Sequence, residues 1–222
     1  MRINIFLITL LLSAGIMFSA CSDDSDSNVG DRNGSTSAIK KTGQILSYDI
    51  FGVEVTDGSL RDDGYYQKGV DTNYTRASDI VTDELTGLMW QDNPEGANLE
   101  KPWLSSDNFN SCDINNSSPA CYDTSGDTAA TYCAELTLGH TRAGYTDWRL
   151  PTIEELSNIV ALHHLPAIDT IFQSAPFTDT YWSSNTAEFS KDSAYVVDFY
   201  KGNTAYGGKS LILGVICVRD GG

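Results

Sequence analysis

Apolar residues are distributed unevenly along this chain. A signal-like segment stands at the start, where Arg2 precedes a mostly apolar run over residues 3–18. The run is shorter than the about 20 apolar residues that a transmembrane helix needs, and polar residues interrupt it. We therefore predict that residues 1–20 are a secretory signal peptide and not a membrane-spanning helix.

The residues that follow the run, Ser19-Ala20-Cys21, resemble the cleavage site of a bacterial lipoprotein. This resemblance implies that residues 1–20 are removed and that Cys21 carries acyl chains, which anchor a protein stably when there are two or more. We expect a cell-envelope location, as an outer-membrane lipoprotein facing the periplasm or exposed at the surface. The alternative is an ordinary secretory signal with a cysteine near its end.

Residues 21–41 are rich in Ser, Asp, Asn and Gly and contain few apolar side chains. Such a segment cannot bury enough apolar surface to offset the entropy lost on ordering. We interpret it as an acidic, disordered tether. Residues 42–222 are long enough for a single domain with its own core.

Within residues 42–222, short apolar segments alternate with polar turns. Residues 42–70 predict two or three short strands, and residues 92–127 are so polar that they predict a long loop. A turn is expected at Gly202-Asn203. Residues 80–82 and 88–90 predict a hairpin about the turn at residues 83–87, and further strands are predicted over residues 181–184, 194–200 and 211–219.

Two helices are predicted between these groups of strands. The first covers residues 128–138, because its apolar residues fall at helical spacing, and it stops at Gly139. Thr152 and Glu155 are three residues apart and form a capping-box pattern, so a second helix is expected from there to about His163. The order of strands, helices and strands predicts an α+β fold with an antiparallel sheet.

The charge of the chain limits its partners. It contains 30 acidic and 14 basic residues, which gives a formal net charge of −16. A field of this sign repels polyanions unless a local basic patch overcomes it, and no run of Lys and Arg is present. We therefore expect no nucleic-acid partner and regard sulfated glycans as unsuitable ligands.

Four cysteines remain after Cys21, and an even number in an exported domain predicts two disulfides. Three pairings are possible. Cys112 and Cys121 flank a polar loop of the size that a local disulfide closes. We therefore predict that Cys112 pairs with Cys121 and that Cys133 pairs with Cys217.

The segment Gly144–Leu156, GYTDWRLPTIEEL, resembles the Lcl C-terminal domain family of bacterial proteins. Other segments that match the family in order are residues 81–83, 86–90, 132–136, 181–184 and 217–219. Together they cover roughly residues 80–219, and residues 42–44 and 63–67 resemble a preface that many members carry. The resemblance implies a C-type-lectin-like fold, with two helices packed on a twisted antiparallel sheet with long loops.

The same resemblance implies a disulfide from the first helix to the last strand, in agreement with the pairing of Cys133 with Cys217. Within the motif we expect a scaffolding role. Pro151 and Thr152 fix the helix start, Trp148 fills the core, and Arg149 bonds carbonyls or Asp147, while Glu155 completes the cap.

Exposed aromatic rings could stack on a sugar, although aromatic residues on strands lie more often in the core. The candidate ligand-binding residues are Trp90, Trp103, Trp182 and Asn185.

The sequence indicates no metal, cofactor or catalytic residue. The triplets and the Trp-Asn-Asp strand of calcium-dependent lectin sites are missing, and the oxygen-rich segment Gln91–Glu95 lies in the wrong region. The three histidines are too scattered for zinc, and no nucleophile elbow is present. A catalytic pair of carboxylates is the one enzymatic alternative that the sequence leaves open.

These observations favour a non-catalytic binding or adhesion module on the cell envelope. Its loops 92–127 and 173–193 would present the recognition surface to an extracellular or envelope ligand, a glycan or a protein. The family is named after an adhesin, which suggests glycan or matrix ligands. The alternatives are a periplasmic structural lipoprotein that contacts envelope proteins and a polysaccharide hydrolase.

Overall fold

The computed structural model describes residues 39–96, 98–115, 118–139, 144–173 and 180–221. The predicted signal peptide, Cys21 and most of the predicted tether lie outside these residues. The described chain combines two β-sheets with a few short helices, so the α+β class is confirmed.

The first sheet has four strands in the order β1-β2-β3-β9. Its strands are β1 (Tyr74–Ala77), β2 (Ile80–Asp83), β3 (Leu88–Gln91) and β9 (Val218–Asp220). All three pairings are antiparallel, and β3 pairs with β9 from Leu88 opposite Asp220 to Trp90 opposite Val218. The predicted hairpin of β2 and β3 is confirmed, and β9 pairs with its strand β3.

The second sheet has five strands in the order β4-β8-β5-β6-β7. Its strands are β4 (Glu100–Pro102), β5 (Thr180–Thr186), β6 (Ser193–Asp198), β7 (Asn203–Gly208) and β8 (Ile212–Gly214). The pairings are antiparallel except that of β5 with β8, where Tyr181 lies opposite Gly214 in parallel.

Four α-helices and one 3-10 helix connect the strands. They are α1 (Asp63–Tyr66), α2 (Ser106–Ser111), the 3-10 helix Pro119–Cys121, α3 (Ala129–Glu135) and α4 (Ile153–Asn158). Thr128 caps α3 and Thr152 caps α4, each by accepting a backbone N–H three residues on.

Both predicted helices are present but shorter than expected. The first ends at Glu135, and Gly139 is not its C-cap, because Leu138 instead exchanges two backbone hydrogen bonds with Tyr145. The second ends at Asn158, and not near His163, because Ala161 donates to the carbonyl of Ala167. In both cases backbone pairing to a segment six or seven residues further along the chain replaces another helical turn.

The strand predictions need three corrections. The structure describes all of residues 42–70. No β-strand forms there, because the segment pairs with neither sheet and makes only isolated bridges. The predicted strand over residues 211–219 is two strands, β8 and β9, which belong to different sheets. Strands β1, β4 and β7 were not predicted at all, and β4, α2 and the 3-10 helix lie within residues 92–127, which were predicted to be a long loop.

The core consists of two clusters of buried side chains. One contains Trp103, Trp148 and Trp182 together with the disulfide partners Cys133 and Cys217. The other contains Trp90 and the helix residues Leu156 and Ile159 together with apolar residues of both sheets. Burial of this much aromatic and aliphatic surface is the main stabilising contribution to the fold.

Both predicted disulfides are present. Cys112 pairs with Cys121, nine residues on, and Cys133 pairs with Cys217, 84 residues on. The short bridge closes the loop between α2 and the 3-10 helix. The long bridge ties α3 to the residue that immediately precedes β9.

Candidate ligand-binding surface

The segment Asp147–Glu155 is a structural element, as the sequence predicted. Trp148 is buried, and Thr152 and Glu155 form the expected capping box at the start of α4. The Glu155 carboxylate accepts the backbone N–H of Thr152 at 2.8 Å, and the Thr152 hydroxyl accepts the N–H of Glu155 at 3.2 Å. These bonds satisfy two of the backbone donors that every helix start leaves free.

The arginine of this motif has different partners from those predicted. Arg149 does not bond Asp147; its guanidinium donates to both carboxylate oxygens of Glu155, at 2.8 and 2.7 Å, and also reaches Asp220. Asp147 instead pairs with Arg219, which holds the pKa of its carboxyl below the ordinary value. For Glu155, burial is the largest single influence and raises the pKa, but the hydrogen bonds from Arg149 and Thr152 and the positive charge of Arg149 together lower it overall.

The three tryptophans that were candidates for ligand binding are buried. Trp90 and Trp182 are fully enclosed, and Trp103 is almost so. The indole N–H of Trp103 donates to the carbonyl of Ser183, and that of Trp182 donates to the carbonyl of Lys101. The prediction that these rings contact a ligand is therefore corrected: all three are core residues. Among the described residues, the buried indole N–H of Trp90 has no hydrogen-bond partner.

Asn185, the fourth candidate, acts on the backbone of α4. Its side-chain oxygen accepts the N–H of Ile153 at 2.8 Å. It thus satisfies a third free donor at the helix start, beside those used by the capping box. The structure assigns Asn185 a structural contact and does not place it beside the other candidates on an open surface.

An exposed aromatic cluster is formed by Phe189, Tyr195 and Tyr206. The ring centroids of Phe189 and Tyr206 are 4.9 Å apart and those of Phe189 and Tyr195 are 6.3 Å apart, both with edge-to-face geometry. Phe189 is 65% exposed and Tyr206 is 58% exposed, whereas Tyr195 is half-buried. The cluster therefore offers several ring faces and edges to solvent at one place.

Strand pairing and a short loop build this cluster. Tyr195 on β6 lies directly opposite Tyr206 on β7, so their side chains share one face of the sheet. Phe189 comes from the connection between β5 and β6, inside the predicted recognition loop 173–193. Ala187 and Ser193 pair across that connection through a 2.9 Å backbone hydrogen bond.

Asp192 stiffens the same connection. Its carboxylate accepts the hydroxyl of Ser190 at 2.6 Å and that of Ser193 at 3.1 Å. These two hydrogen bonds lower the pKa of Asp192, so it is ionised at neutral pH. The aromatic cluster thus stands on a sheet edge and on a hydrogen-bonded loop, which keeps its rings in place.

Only an indirect signal in the sequence pointed to this cluster. The strand β7 reads NTAYGG and has no buried side chain among its first four residues, so it lacks the apolar pattern of a strand. The turn predicted at Gly202-Asn203 indicated a hairpin but lies too far along the chain, because Asp198 pairs with Asn203 and the turn occupies residues 199–202. A hairpin folded about Gly202-Asn203 would have placed Tyr195 opposite Ser210 and not opposite Tyr206.

An open groove of about 800 Å³ lies elsewhere, bordered by residues 41–48, residues 67–72 and the pair Leu162 and His163. The lysine and the aspartate that line it are paired, since Lys41 donates to Asp71 at 2.8 Å. The groove is lined mainly by apolar atoms.

The side chains of the oxygen-rich segment Gln91–Asn93 make hydrogen bonds within the protein. The buried carboxylate of Asp92 accepts from Arg76 at 2.6 Å, and the side chain of Gln91 bonds Asn93, Tyr132 and the backbone of Cys217. Among the described residues, no group of three or more His, Cys, Asp or Glu side chains could hold a metal ion.

A comparison with protein families decides the affiliation of the chain. The family model of the Lcl C-terminal domain matches residues 79–219. The chain belongs to the Lcl C-terminal domain family. The matched region contains both sheets except for β1, both disulfides and the aromatic cluster, whereas the preface segment precedes it. None of the curated proteins matches the chain.

The described residues contain no helix that is both long enough and apolar enough to cross a membrane.

Proposed function

We propose that this Lcl C-terminal domain protein is a non-catalytic binding module, anchored in the cell envelope through acylated Cys21. The observation that carries the proposal is the exposed cluster of Phe189, Tyr195 and Tyr206. Exposed aromatic rings on a rigid support are costly to leave in water and are typical of recognition surfaces. We include the C-type-lectin-like fold in the proposal, supported by the family and by the disulfide from α3 to the end of the chain.

A neutral glycan is the ligand class that this surface fits best. Aromatic rings present a partly negative face, against which the C–H groups of a sugar ring can pack. The formal charge of −16 works against sulfated or otherwise anionic glycans. The exposed Glu188 beside Phe189 and the exposed Thr204 near Tyr206 supply oxygen atoms for hydrogen bonds to sugar hydroxyls.

The binding proposal is tested with an array of neutral and sulfated oligosaccharides probed with the purified mature protein. We expect signals among neutral glycans and none among sulfated ones. An array without any signal, together with unchanged cell attachment in a deletion strain, would reject the module as a glycan adhesin. Release of reducing ends from an array glycan would instead favour the hydrolase alternative.

The location is tested separately. Metabolic labelling with a fatty-acid precursor should label the wild-type protein and leave the Cys21→Ala variant unlabelled. Protease added to intact cells should cleave a surface-exposed domain, whereas a protected domain would favour the periplasmic structural lipoprotein. An unlabelled wild-type protein would reject the anchor.

A further inference from the structure

A tight turn at residues 49–53 presents two large apolar side chains to solvent. Ile50 is 93% exposed and Phe51 is 82% exposed. They are adjacent in sequence and stand at the tip of the turn. Single exposed apolar residues are common on protein surfaces, but two neighbouring ones of this size at a tip are not.

Hydrogen bonds hold the tip in this conformation. The Asp49 carboxylate accepts the backbone N–H of Phe51 at 2.8 Å and that of Val53 at 2.9 Å. The N–H of Asp49 also donates to the carbonyl of Val53, and the N–H of Gly52 donates to the carbonyl of Asp49. The one acidic side chain in the turn is therefore engaged with the backbone, and the apolar side chains are held outward.

The tip belongs to a segment that is unusually apolar at its surface. Eighteen large apolar side chains are exposed in the described part of the chain, and nine of them lie between Ile39 and Val70. The exposed tyrosines Tyr48, Tyr65 and Tyr66 belong to this group. Tyrosine is enriched where proteins meet the headgroup region of a bilayer, because its ring is apolar and its hydroxyl is polar.

We propose that the tip Ile50-Phe51 inserts into the interface of the bilayer to which the protein is anchored, and that this leaflet is zwitterionic. The proposal rests on the acyl anchor under Proposed function. Cys21 precedes Ile39 by 18 residues. A coil of this length, as its composition predicts, spans roughly 23 Å, so the segment that carries the tip stays close to the lipid.

Lipid fits the tip better than a protein partner does. A stable protein interface buries about 800 Å² on each partner, far more than two side chains can supply. Insertion by about 5 to 10 Å into the headgroup boundary suits a tip of two residues. The formal charge of −16 would be repelled by an anionic leaflet. The charge of the protein therefore favours a zwitterionic leaflet.

The test uses a spin label on the acylated mature protein, attached through Ile50→Cys. The four domain cysteines form disulfides, so the introduced thiol is reactive while Cys21 is acylated. In phosphatidylethanolamine–phosphatidylcholine vesicles, collision of the label with membrane-soluble oxygen is compared with collision with a water-soluble nickel complex. Leu211→Cys, at a half-exposed apolar residue before β8, is the matched control. Circular dichroism verifies that both variants fold.

We expect the ratio of oxygen to nickel collisions at position 50 to rise about threefold or more on reconstitution, and that at position 211 to stay unchanged. Equal ratios at both positions would overturn the proposal. Exclusion of both reagents from position 50 in native envelopes, without a change in vesicles, would mean that a protein covers the tip, and would also overturn it.

Mass spectrometry of the same sample measures the acylation of Cys21 independently. If Cys21 is not acylated, the proposed anchor fails while the tip is still tested, by adding the unacylated protein to vesicles. A rise in the ratio at position 50 would then support insertion of the tip without the anchor. An unchanged ratio would reject both.

Discussion

The ammonium group of Lys40 lies 2.6 Å from a carboxylate oxygen of Asp83, and both side chains are buried. The same group donates to the hydroxyl of Tyr74 and to the carbonyl of Asn158, at the end of α4. One lysine thus ties the chain just before the preface segment to the first sheet and to a helix. Lys40, two residues before the predicted start of the domain at Thr42, is already part of the packed domain.

Replacement of Lys40 tests this attachment. Lys40→Ala leaves Asp83 buried without its cation, so we expect it to lower the free energy of unfolding by about 3 kcal/mol. The neighbouring Lys41→Ala removes the pair with the largely exposed Asp71 and should cost less than about 1 kcal/mol. Urea denaturation of both variants gives the comparison, and equal losses would show that Lys40 contributes no more than a surface lysine.

Glu155 combines the capping box with the two-fold hydrogen bond from Arg149. Glu155→Ala removes both and should lower the free energy of unfolding by about 1 to 2 kcal/mol. Glu154→Ala, at the exposed position next to it in α4, is the control and should change stability by less than about 0.5 kcal/mol. Thermal unfolding of both variants gives the comparison. A Glu155→Ala variant as stable as the wild type would contradict the scaffolding role.

Gly43 is held beneath the ring of His163. A Cβ atom added at Gly43 would lie 1.8 Å from Nδ1 of His163, and its φ of +82° already disfavours other residues. Gly43→Ala should therefore destabilise the protein more than Gly87→Ala, where φ is +74° and no atom lies within 4 Å. We expect a difference of about 1 kcal/mol or more by denaturation. Equal losses of stability in the two variants would mean that the ring of His163 moves away freely.

Lys209 predicts a dependence of stability on pH. Its side chain is fully buried, with the ammonium 4.2 Å from the centre of the Trp103 ring, and burial lowers its pKa to about 8 against the attraction of Asp192. Between about pH 8 and pH 10 the unfolded chain keeps a proton that the folded protein has lost. Stability should therefore rise with pH across this range.

The measurement is urea denaturation at several pH values for the wild type and for Lys209→Met. The variant lacks the titrating group but keeps a long apolar stem in the core, so its stability should rise less between pH 8 and pH 10. The difference between the two slopes isolates the lysine from other groups that titrate. Parallel slopes would show that Lys209 titrates as it does in the unfolded chain.

The sequence predicted those parts of the fold that local chemistry determines. The capping box at Thr152 and Glu155 depends on residues three positions apart, and the hairpin of β2 and β3 depends on the turn between them. Both disulfides followed from the number of cysteines and the length of one loop. The motif DWRLPT, which specifies a helix start and its core residue together, predicted the family, and the family model over residues 79–219 confirmed it.

The parts that failed depend on how segments pair and pack after the local elements have formed. Helix α4 stops early because Ala161 pairs with Ala167, six residues on, and the apolar spacing that predicted the helix contains no signal for that pairing. The tryptophans were candidates for a surface because residue type alone does not reveal burial. The aromatic cluster was missed because β7 is exposed and forms only by pairing with β6.

The most direct test of the account is the dissociation constant for the neutral oligosaccharide that gives the strongest array signal. It is measured for the wild type, for Phe189→Ala/Tyr206→Ala and for Tyr200→Ala, an equally exposed aromatic residue outside the cluster. We predict that the double variant binds about tenfold or more weakly and that Tyr200→Ala binds as the wild type does. Equal dissociation constants for all three proteins would contradict recognition at the aromatic cluster.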